Sequence, residues 1–351
     1  MSRIFVAMSG GVDSSLAAAL LQEQGEDVVG VWMRLTPAGF ESDAPRCCGT
    51  SEAGEQARRA ASHLGIPFYA LDYAELFGRE VVDRFVGSYA NAETPNPCVA
   101  CNQHVKFEAL LQDVIGKFGA DRLATGHYAR ITVDADGTRH LRRANDAAKD
   151  QSYALYTLGQ RELARLVMPI GELRDKGETR ELALAFGLGN AEAPESMDIC
   201  FIGGDYRSFV RTRAPLAFVP GAVERADGAA IGLHAGMGSL TVGQRSGVGV
   251  ATGERLYVLR LEPERNVAIV GTRDEVSQRR YRLRDVRWTV APPEGSLRTT
   301  AALRYRGTPF ACVVRDETLD LDEPALVAPG QAAVFYDGDE VVGGGVIDRA
   351  A

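Results

Sequence analysis

A serine- and glycine-rich segment near the N-terminus has the composition of an anion-binding loop. Segment 9–15, with the sequence SGGVDSS, follows an apolar run and overlaps the start of a helical pattern at 13–24. Glycines allow the backbone to turn tightly and to approach a ligand, and the N-terminus of the next helix offers N–H groups and a positive dipole end. The lysine of a Walker loop is missing, so the pattern predicts a phosphate site of another type.

A second segment carries two cysteines three positions apart. Segment 94–102 reads TPNPCVACN, and its two prolines favour an extended entry into the pair formed by Cys98 and Cys101. Such a pair suits a redox couple, half of a metal site, or a nucleophilic thiol whose pKa is lowered beside a helix N-terminus. Zinc would need a second ligand pair, and the adjacent Cys47 and Cys48 are poorly spaced for it. Packing of small buried side chains is the alternative.

A third segment, 195–202, contains a single cysteine, Cys200, among apolar residues. Alone, such a cysteine is typical of core packing. Cys200 becomes a candidate functional residue because the same chain also contains the other two segments.

The elements that must position these residues change in type along the chain. In the first part, strand-like runs at 4–8, 28–33, 67–71 and 122–125 alternate with helical patterns at 13–24, 52–64 and 107–118. This alternation predicts a parallel sheet covered by helices. Beyond residue 205 glycines are dense and short β-type runs follow one another, with a hairpin signal at Asp337-Gly338. We therefore expect three domains, at 1–204, 205–280 and 281–351.

Length and composition exclude several classes of protein. The chain has 351 residues, of which 45% are hydrophobic and 25% charged, as in globular proteins of two or three domains. It has no stretch of 18 apolar residues, and its N-terminal apolar run is too short for a signal peptide. The six cysteines are too few for a disulfide scaffold. These features predict a cytoplasmic protein without a membrane span.

The net charge of −8 conceals an uneven distribution. Between residues 205 and 315 there are 18 arginines, no lysine and 10 acidic residues, an excess of eight positive charges. An arginine-rich segment is compatible with local binding of a polyanion such as RNA. Solvated strand faces explain the charge equally well, so both interpretations stay open.

Taken together, the three segments resemble those of the tRNA-specific 2-thiouridylase family. The resemblance extends over nearly the whole chain, through the further segments 30–33 (GVWM), 124–130 (ATGHYAR), 149–153 (KDQSY), 241–245 (TVGQR) and 330–336 (GQAAVFY). The first segment itself is similar to the loop of enzymes that split ATP into AMP and pyrophosphate. The implied fold is an adenine nucleotide alpha-hydrolase-like domain, a small β-rich domain and a C-terminal β-barrel.

The resemblance implies conversion of the wobble uridine, position 34, into 2-thiouridine by a tRNA-uridine 2-sulfurtransferase. ATP, with Mg2+, would adenylate the uracil O2, and a persulfide sulfur would replace the activated oxygen. The implied partners are the tRNAs for Lys, Glu and Gln and a sulfur-donating protein, either a cysteine desulfurase or a relay protein. Adenylation suits the chemistry because uracil O2 is a poor leaving group, and a persulfide is largely ionised near neutral pH.

The resemblance also assigns roles to individual residues. Cys200 would carry the persulfide and Cys101 would resolve it, leaving a transient Cys101–Cys200 disulfide. The residues expected to bind ATP are Ala7, Met8, Ser9, Gly10, Gly11, Val12, Asp13, Ser14, Met33 and Gly126. The residues expected to contact the tRNA or its target base are Asn96, Pro97, Cys98, His127, Lys149, Asp150, Gln151, Arg304, Tyr305 and Gln331.

One departure from the family leaves the sulfur chemistry open. Many members have an aspartate at the position of Cys98, so an acid or base role there is in doubt. Cys98, Cys101 and Cys200 are alternatively ligands of an iron–sulfur cluster, of the [4Fe-4S] type, with one iron open to sulfide. Two other functions are also weighed: a synthetase that activates a small molecule, and a nucleotide-sensing RNA-binding module without catalysis.

Overall fold

The structure is a computed structural model that describes residues 1–36, 49–191, 199–250 and 253–348. Part of the third cysteine segment, 195–198, lies outside the described residues, as do Cys47 and Cys48. Among the helices of the described ranges, none is long and apolar enough to cross a membrane.

Seventeen strands and ten α-helices make up the described structure, together with short 3-10 and π-helical segments. The strands are β1 Arg3–Ala7, β2 Asp27–Arg34, β3 Phe68–Asp72, β4 Arg122–Thr125, β5 Ala129–Val133, β6 Arg139–Arg143, β7 Leu166–Val167, β8 Gly221–Arg225, β9 Ala230–His234, β10 Tyr257–Glu262, β11 Val267–Gly271, β12 Gln278–Trp288, β13 Ser296–Ala302, β14 Phe310–Arg315, β15 Thr318–Ala325, β16 Ala332–Asp337 and β17 Glu340–Ile347. The α-helices are α1 Val12–Glu23, α2 Ser51–Leu64, α3 Ala74–Phe77, α4 Arg84–Ala90, α5 Pro97–Ala100, α6 Leu111–Gly116, α7 Gln160–Leu163, α8 Lys176–Ala185, α9 Tyr206–Arg213 and α10 Arg273–Val276.

The N-terminal part is a parallel sheet with the strand order β3-β2-β1-β4-β7. Strand β1 pairs with β2 on one side and β4 on the other, in parallel register. The sheet is covered by helices because its central strands are apolar on both faces: Ile4, Val6 and Leu123 are fully buried. The predicted parallel sheet is confirmed, and the phosphate loop and Gly126 both follow strands at its carboxyl edge.

The middle part is a four-stranded sheet with the order β10-β11-β8-β9. Its small core includes Val223, Val258 and Ala268, all fully buried. The segment dense in glycine is therefore β-rich, as the sequence predicts.

The C-terminal part is a closed six-stranded antiparallel barrel. Its order is β12-β15-β14-β13-β16-β17, and β12 also pairs with β17 to close the ring. The hairpin of β5 and β6 extends this sheet, because Glu340 and Val341 of β17 pair with Arg142 and Leu141 of β6. Closure removes the edge strands of the barrel, and the hairpin ties it to the N-terminal part of the chain.

A continuous helical stretch presents the cysteine pair. It runs through α5, a π-helical segment Cys101–Leu110, and α6. Val105, Leu110 and Val114 of this stretch are fully buried in the largest hydrophobic cluster, which also contains Phe5 and Val31 of the parallel sheet. The cysteine helix is thus packed directly onto the sheet that carries the phosphate loop.

Candidate active site

The loop after β1 has the geometry of a phosphate cradle. Gly10 has a φ of +85°, a conformation that other residues rarely adopt. A side chain there would also place its Cβ 2.5 Å from the carbonyl oxygen of Ala53. Gly11 is extended and precedes the first residue of α1, so the N–H groups of the first helical turn face the loop.

Serine hydroxyls hold this loop in shape. The Ser9 N–H donates to Ser14 Oγ at 3.1 Å, and the Ser14 and Ser15 hydroxyls each donate to the Gly11 carbonyl at 3.1 Å. These bonds fix the loop before any ligand arrives, which lowers the cost of ordering it around an anion.

Gly126 forms the opposite wall of the loop. It follows β4, and a Cβ at this position would lie 2.6 Å from the backbone nitrogen of Ser14. Only a glycine allows the segment after β4 to come this close to the first turn of α1. Met8 and Met33 are buried beneath the loop, and Ala7 is half-buried at the end of β1. The predicted ATP-binding residues therefore lie around one edge of the sheet.

A lysine that sequence analysis missed reaches the same loop from α8. Lys176 pairs with the carboxylate of Asp13, and its ammonium also lies 5.5 Å from the centre of the Tyr128 ring. The Tyr128 hydroxyl donates to the Asp13 carboxylate at 2.9 Å. The cation absent from the loop sequence is thus supplied by a residue 163 positions away.

Asn190 is a second residue that the sequence patterns did not single out. Its side-chain amide donates to the Gly10 carbonyl at 3.0 Å and lies 3.1 Å from Ser15 Oγ. Its Oδ1 is buried and has no hydrogen-bond partner among the described residues. Asn190 therefore braces the back of the phosphate loop.

Local sequence explains how the cysteine pair is presented. The Asn96 side chain accepts a hydrogen bond from the Cys98 N–H at 3.0 Å, and Pro97 occupies the first helical position. Cys98 is exposed and Cys101 is buried. Cys200 is half-buried and packs against the same hydrophobic cluster that contains Cys101. The two predicted sulfur-carrying residues thus border one apolar region.

A lowered pKa, which is one of the roles that the sequence leaves open for the cysteine pair, is not found at Cys98. A thiol near a helix N-terminus is expected to have a lowered pKa, whereas surrounding protein atoms raise the pKa of Cys98. The positive charge of Lys106 lowers it, with a smaller effect. Cys98 is therefore less acidic than an ordinary cysteine thiol.

The three thiols do not form a ready metal site. Within the described ranges, no group of three His, Cys, Asp or Glu side chains is arranged to hold a metal ion. Cys98, Cys101 and Cys200 all belong to those ranges. In the described structure these three thiols are therefore not grouped around one metal position.

A polar junction connects the cysteine helix with the phosphate loop. Lys106, one helical turn beyond Asn102, lies 2.9 Å from Asn102 Oδ1 and 3.5 Å from His127 Nε2. His127 Nδ1 lies 2.8 Å from Thr125 Oγ1, and Gly126 stands between these two residues. The cysteine helix and the phosphate loop are thus connected through a short chain of polar contacts.

Several residues predicted to contact RNA make bonds within the protein. Asp150 is buried and accepts hydrogen bonds from Ser152 Oγ at 2.9 Å and from Arg143 at 3.2 Å. Gln151 accepts from the Tyr128 N–H at 3.0 Å. Gln331 donates to the Thr94 carbonyl at 2.6 Å, which places it beside the cysteine segment.

Other predicted RNA contacts surround an open cleft of about 310 Å³ between the barrel and the N-terminal part. Asp150 and Tyr305 line it, together with Arg143, Tyr153, Arg306 and Tyr336. The Arg143 guanidinium stacks on the Tyr336 ring at 3.7 Å. Arg304 is exposed beside the cleft, and Lys149 is half-buried. Among the cleft tyrosines Tyr305 is exposed, and an exposed aromatic ring beside arginines can stack on bases while the arginines pair with phosphates.

Comparisons with known proteins agree with this architecture. Residues 2–204 match the family model described as tRNA methyl transferase HUP domain. Residues 207–272 match the tRNA methyl transferase PRC-barrel domain, and residues 278–347 match the aminomethyltransferase beta-barrel domain.

Relatives of full length carry a more specific name. Proteins named tRNA-specific 2-thiouridylase MnmA from Chloroflexus aggregans, Moorella thermoacetica and Pelobacter propionicus are 46%, 45% and 42% identical to this chain. Each comparison covers 99% of this chain and at least 98% of the relative. The chain therefore belongs to the tRNA-specific 2-thiouridylase family.

Proposed function

We propose that this chain catalyses ATP-dependent 2-thiolation of the wobble uridine of tRNA. The observation that carries the proposal is the junction through Thr125, Gly126 and His127. It joins a glycine-rich phosphate loop to a helix with two cysteines. A thiolation enzyme needs both halves, since the same uracil must meet an ATP phosphate and a sulfur. The relatives named above support the choice of tRNA as substrate.

In the first step, the uracil O2 attacks the α-phosphorus of ATP. The bond from this phosphorus to the bridging oxygen breaks, its electron pair leaves with pyrophosphate, and the uracil N3 proton passes to solvent. The N-terminal turn of α1 and the backbone of Gly10 and Gly11 hold the phosphates. Mg2+ accompanies ATP as a counter-ion to the triphosphate.

In the second step, a persulfide on Cys200 attacks C2 of the adenylated uracil, and AMP leaves with the electron pair of the C2–O2 bond. The Cys101 thiolate then attacks Cys200 Sγ, and the sulfur–sulfur bond breaks with its electron pair passing to the sulfur on C2. The products are 2-thiouridine and a Cys101–Cys200 disulfide, which an external thiol must reduce. The common apolar region around Cys101 and Cys200 supports this pairing.

The persulfide route is preferred to the iron–sulfur cluster. Cys98, Cys101 and Cys200 are not grouped as ligands in the described structure, whereas Cys101 and Cys200 border one apolar region. Cys98 is a neighbour of the bound base, together with Asn96 and Pro97.

A tRNA substrate also gives roles to the other residues that we expect at the site, and it requires a sulfur donor. Lys149, Asp150, Gln151, Arg304 and Tyr305 would contact the tRNA, Asp150 and Tyr305 from within the cleft, and His127 and Gln331 would support the base pocket. The tRNAs would be those for Lys, Glu and Gln. A cysteine desulfurase or relay protein would deliver the sulfur, in the reducing cytoplasm. We also propose that the chain is divided into three domains, with boundaries after residues 204 and 280.

The test is nucleoside mass spectrometry of tRNA incubated with the protein, ATP and a persulfide-charged donor. We expect 2-thiouridine at position 34, dependent on both ATP and the donor, with one AMP released per modified base. A small-molecule synthetase would release AMP without tRNA, and a binding module would bind tRNA without releasing AMP. Either result would refute the proposal.

A further inference from the structure

Lysine is rare in this chain. Only 4 of its 39 basic residues are lysines, and the other 35 are arginines. One of the four, Lys106, lies in the same π-helical segment as Cys101. π-Helical turns within α-helices are frequent at functional sites. A compact ammonium at this position departs from the chain's own preference for guanidinium.

The charge of Lys106 has no carboxylate partner within the described residues. Its ammonium lies 2.9 Å from Asn102 Oδ1 and 3.5 Å from His127 Nε2, and both partners are neutral amide or imidazole groups. By contrast, Lys117 pairs with Asp113 at 2.8 Å, and Lys176 pairs with Asp13. Lys106 is half-buried, and a cation in such a place normally has an anion beside it.

The hydrogen bonds around Lys106 fix its orientation. Burial and the nearby ammonium lower the pKa of His127 well below its ordinary value, so the imidazole is neutral at pH 7. Its Nε2 therefore accepts from Lys106, and its Nδ1–H donates to Thr125 Oγ1 at 2.8 Å. An ammonium has three N–H bonds. Two are used by partners in the described structure, which leaves the third for a ligand.

Lys106 stands between the two reacting groups of the site. Through His127 it is connected to Gly126, which abuts the first turn of α1 at Ser14. Its charge also acts on the Cys98 thiol, where it lowers the pKa. The uracil must lie in this same interval to reach both an ATP phosphate and a sulfur.

We propose that Lys106 is a catalytic residue whose ammonium contacts the α-phosphate oxygens of the adenylated uridine. The inference rests on the proposed function and adds a residue to it. During adenylation, negative charge accumulates on these oxygens as the O2–phosphorus bond forms and the pyrophosphate oxygen leaves. During thiolation, the same ammonium stabilises AMP as the C2–O2 bond breaks. Asn102 and His127 are positioning residues that aim the ammonium.

The experiment compares Lys106→Met with Lys117→Met, a lysine at the end of the same helical stretch whose side chain is exposed. The first measurement is the rate of tRNA-dependent AMP release at saturating ATP and tRNA. We expect a loss of about 100-fold in kcat for Lys106→Met, as for removal of one donor from a developing oxyanion. KM for ATP and Kd for tRNA should stay within about threefold, and Lys117→Met should match the wild type.

A second pair of measurements separates chemistry from folding. Lys106→Ala should recover AMP release when ethylamine is added, and the recovery should saturate with amine concentration. A folding defect in Lys106→Met would appear as a lowered Tm. In that case, failure of ethylamine to restore AMP release in folded Lys106→Ala would overturn the inference.

Three further outcomes would contradict the catalytic role. Unchanged kcat in Lys106→Met would exclude it. A loss confined to tRNA affinity would assign Lys106 to the RNA backbone, and normal AMP release without 2-thiouridine would assign it to the thiols alone. If the wild type forms no 2-thiouridine, the proposed function itself fails and this inference fails with it.

Discussion

At the scale of single residues, Gly10 tests the phosphate loop most cleanly. Gly10→Ala adds a Cβ that meets the Ala53 carbonyl at 2.5 Å, in a backbone with a φ of +85°. We expect ATP–pyrophosphate exchange in the presence of tRNA to fall at least about tenfold, because the loop must move away from its anion-binding shape. Gly25→Ala is the matched control, since Gly25 has a φ of +82° and open space around its Cβ. Equal exchange rates in Gly10→Ala and Gly25→Ala would show that the loop at Gly10 does not bind the phosphates of ATP.

His127 should make the stability of the protein depend on pH. Its folded-state pKa lies below the ordinary value of about 6.5, so the unfolded chain binds the proton more readily. The free energy of unfolding is therefore highest above pH 6.5 and falls as the pH drops, by about 1.4 kcal/mol per unit for this one group. Urea unfolding of wild type and His127→Gln between pH 7 and pH 5 measures the effect. In His127→Gln, the free energy of unfolding should depend less steeply on pH than in the wild type. The control His63→Gln should keep the wild-type dependence. An equally steep dependence in His127→Gln and wild type would show that His127 does not have a lowered pKa.

Which site residues the sequence reveals depends on their separation along the chain. Segment 9–15 is recognisable because its glycines and serines are contiguous and precede a helix. Lys176 and Asn190 escape notice because they meet the loop from 163 and 180 positions away. Lys106 carries one sequence signal, the rarity of lysine in an arginine-rich chain.

At the scale of elements, the barrel holds the cysteine segment in place. Gln331, next to β16, donates to the Thr94 carbonyl at 2.6 Å, and the Thr94 N–H donates to the Pro329 carbonyl at 2.8 Å. A Cβ on Gly330 would lie 3.0 Å from the Thr94 nitrogen, so the two segments are in close contact. This clamp precedes Asn96, which caps the cysteine helix.

We expect Gln331→Glu to slow thiolation by about tenfold while leaving ATP binding unchanged. The carboxylate has the shape of the amide but cannot donate to the Thr94 carbonyl, and loss of a hydrogen bond of this kind costs about 1–2 kcal/mol. Single-turnover formation of 2-thiouridine and equilibrium binding of ATP measure the two effects. Gln22→Glu is the control, because Gln22 also donates to a backbone carbonyl, at 2.8 Å, on an exposed surface. Normal thiolation by Gln331→Glu would show that the clamp has no part in the reaction.

The start of the cysteine helix shows a limit of pattern reading. The apolar period predicts a helix at 107–118, whereas helical structure begins at Pro97 and continues to Gly116. The π-helical segment Cys101–Leu110 disrupts the regular 3.6-residue spacing, so the pattern is not visible there. The start is nevertheless encoded locally, by the Asn96 cap and by Pro97 at the first position.

At the scale of the whole molecule, part of the positive charge of the arginine-rich segment is neutralised by ion pairs within the protein. Two arginines of the barrel pair with acids in the same sheet, Arg280 with Asp320 and Arg298 with Asp322. Arg284 pairs with Glu93 of the N-terminal part at 2.8 Å. The arginines of the cleft, and the exposed Arg304 beside them, are candidates for RNA contact.

Binding of tRNA should accordingly weaken with salt, because each neutralised phosphate releases counter-ions. We expect Arg304→Ala to raise the tRNA Kd and to reduce the slope of log Kd against log salt by about one. ATP binding should be unaffected. Arg58→Ala is the control, since Arg58 is exposed on α2 and pairs with Glu55. A Kd that does not change with salt would exclude binding through phosphates.

The hairpin of β5 and β6 could not be placed from sequence. Its strands lie within the first 204 residues, yet they extend the sheet of the C-terminal barrel through β17. The pairing joins Val341 to Leu141, 200 residues apart, and local patterns carry no information about such a partner. The cleft between the two parts of the chain depends on it.

The central claim is that the phosphate loop and the thiols Cys101 and Cys200 act on one uridine. The most direct measurement is single-turnover formation of 2-thiouridine by iron-free protein with a persulfide-charged donor, for Cys98→Ser, Cys101→Ser and Cys200→Ser. Serine keeps the size of cysteine but is a far poorer ligand of iron and cannot carry a persulfide. We expect substantial 2-thiouridine from Cys98→Ser and none from the other two variants. An inactive Cys98→Ser, with a wild type that works only after anaerobic loading with iron, would contradict the account.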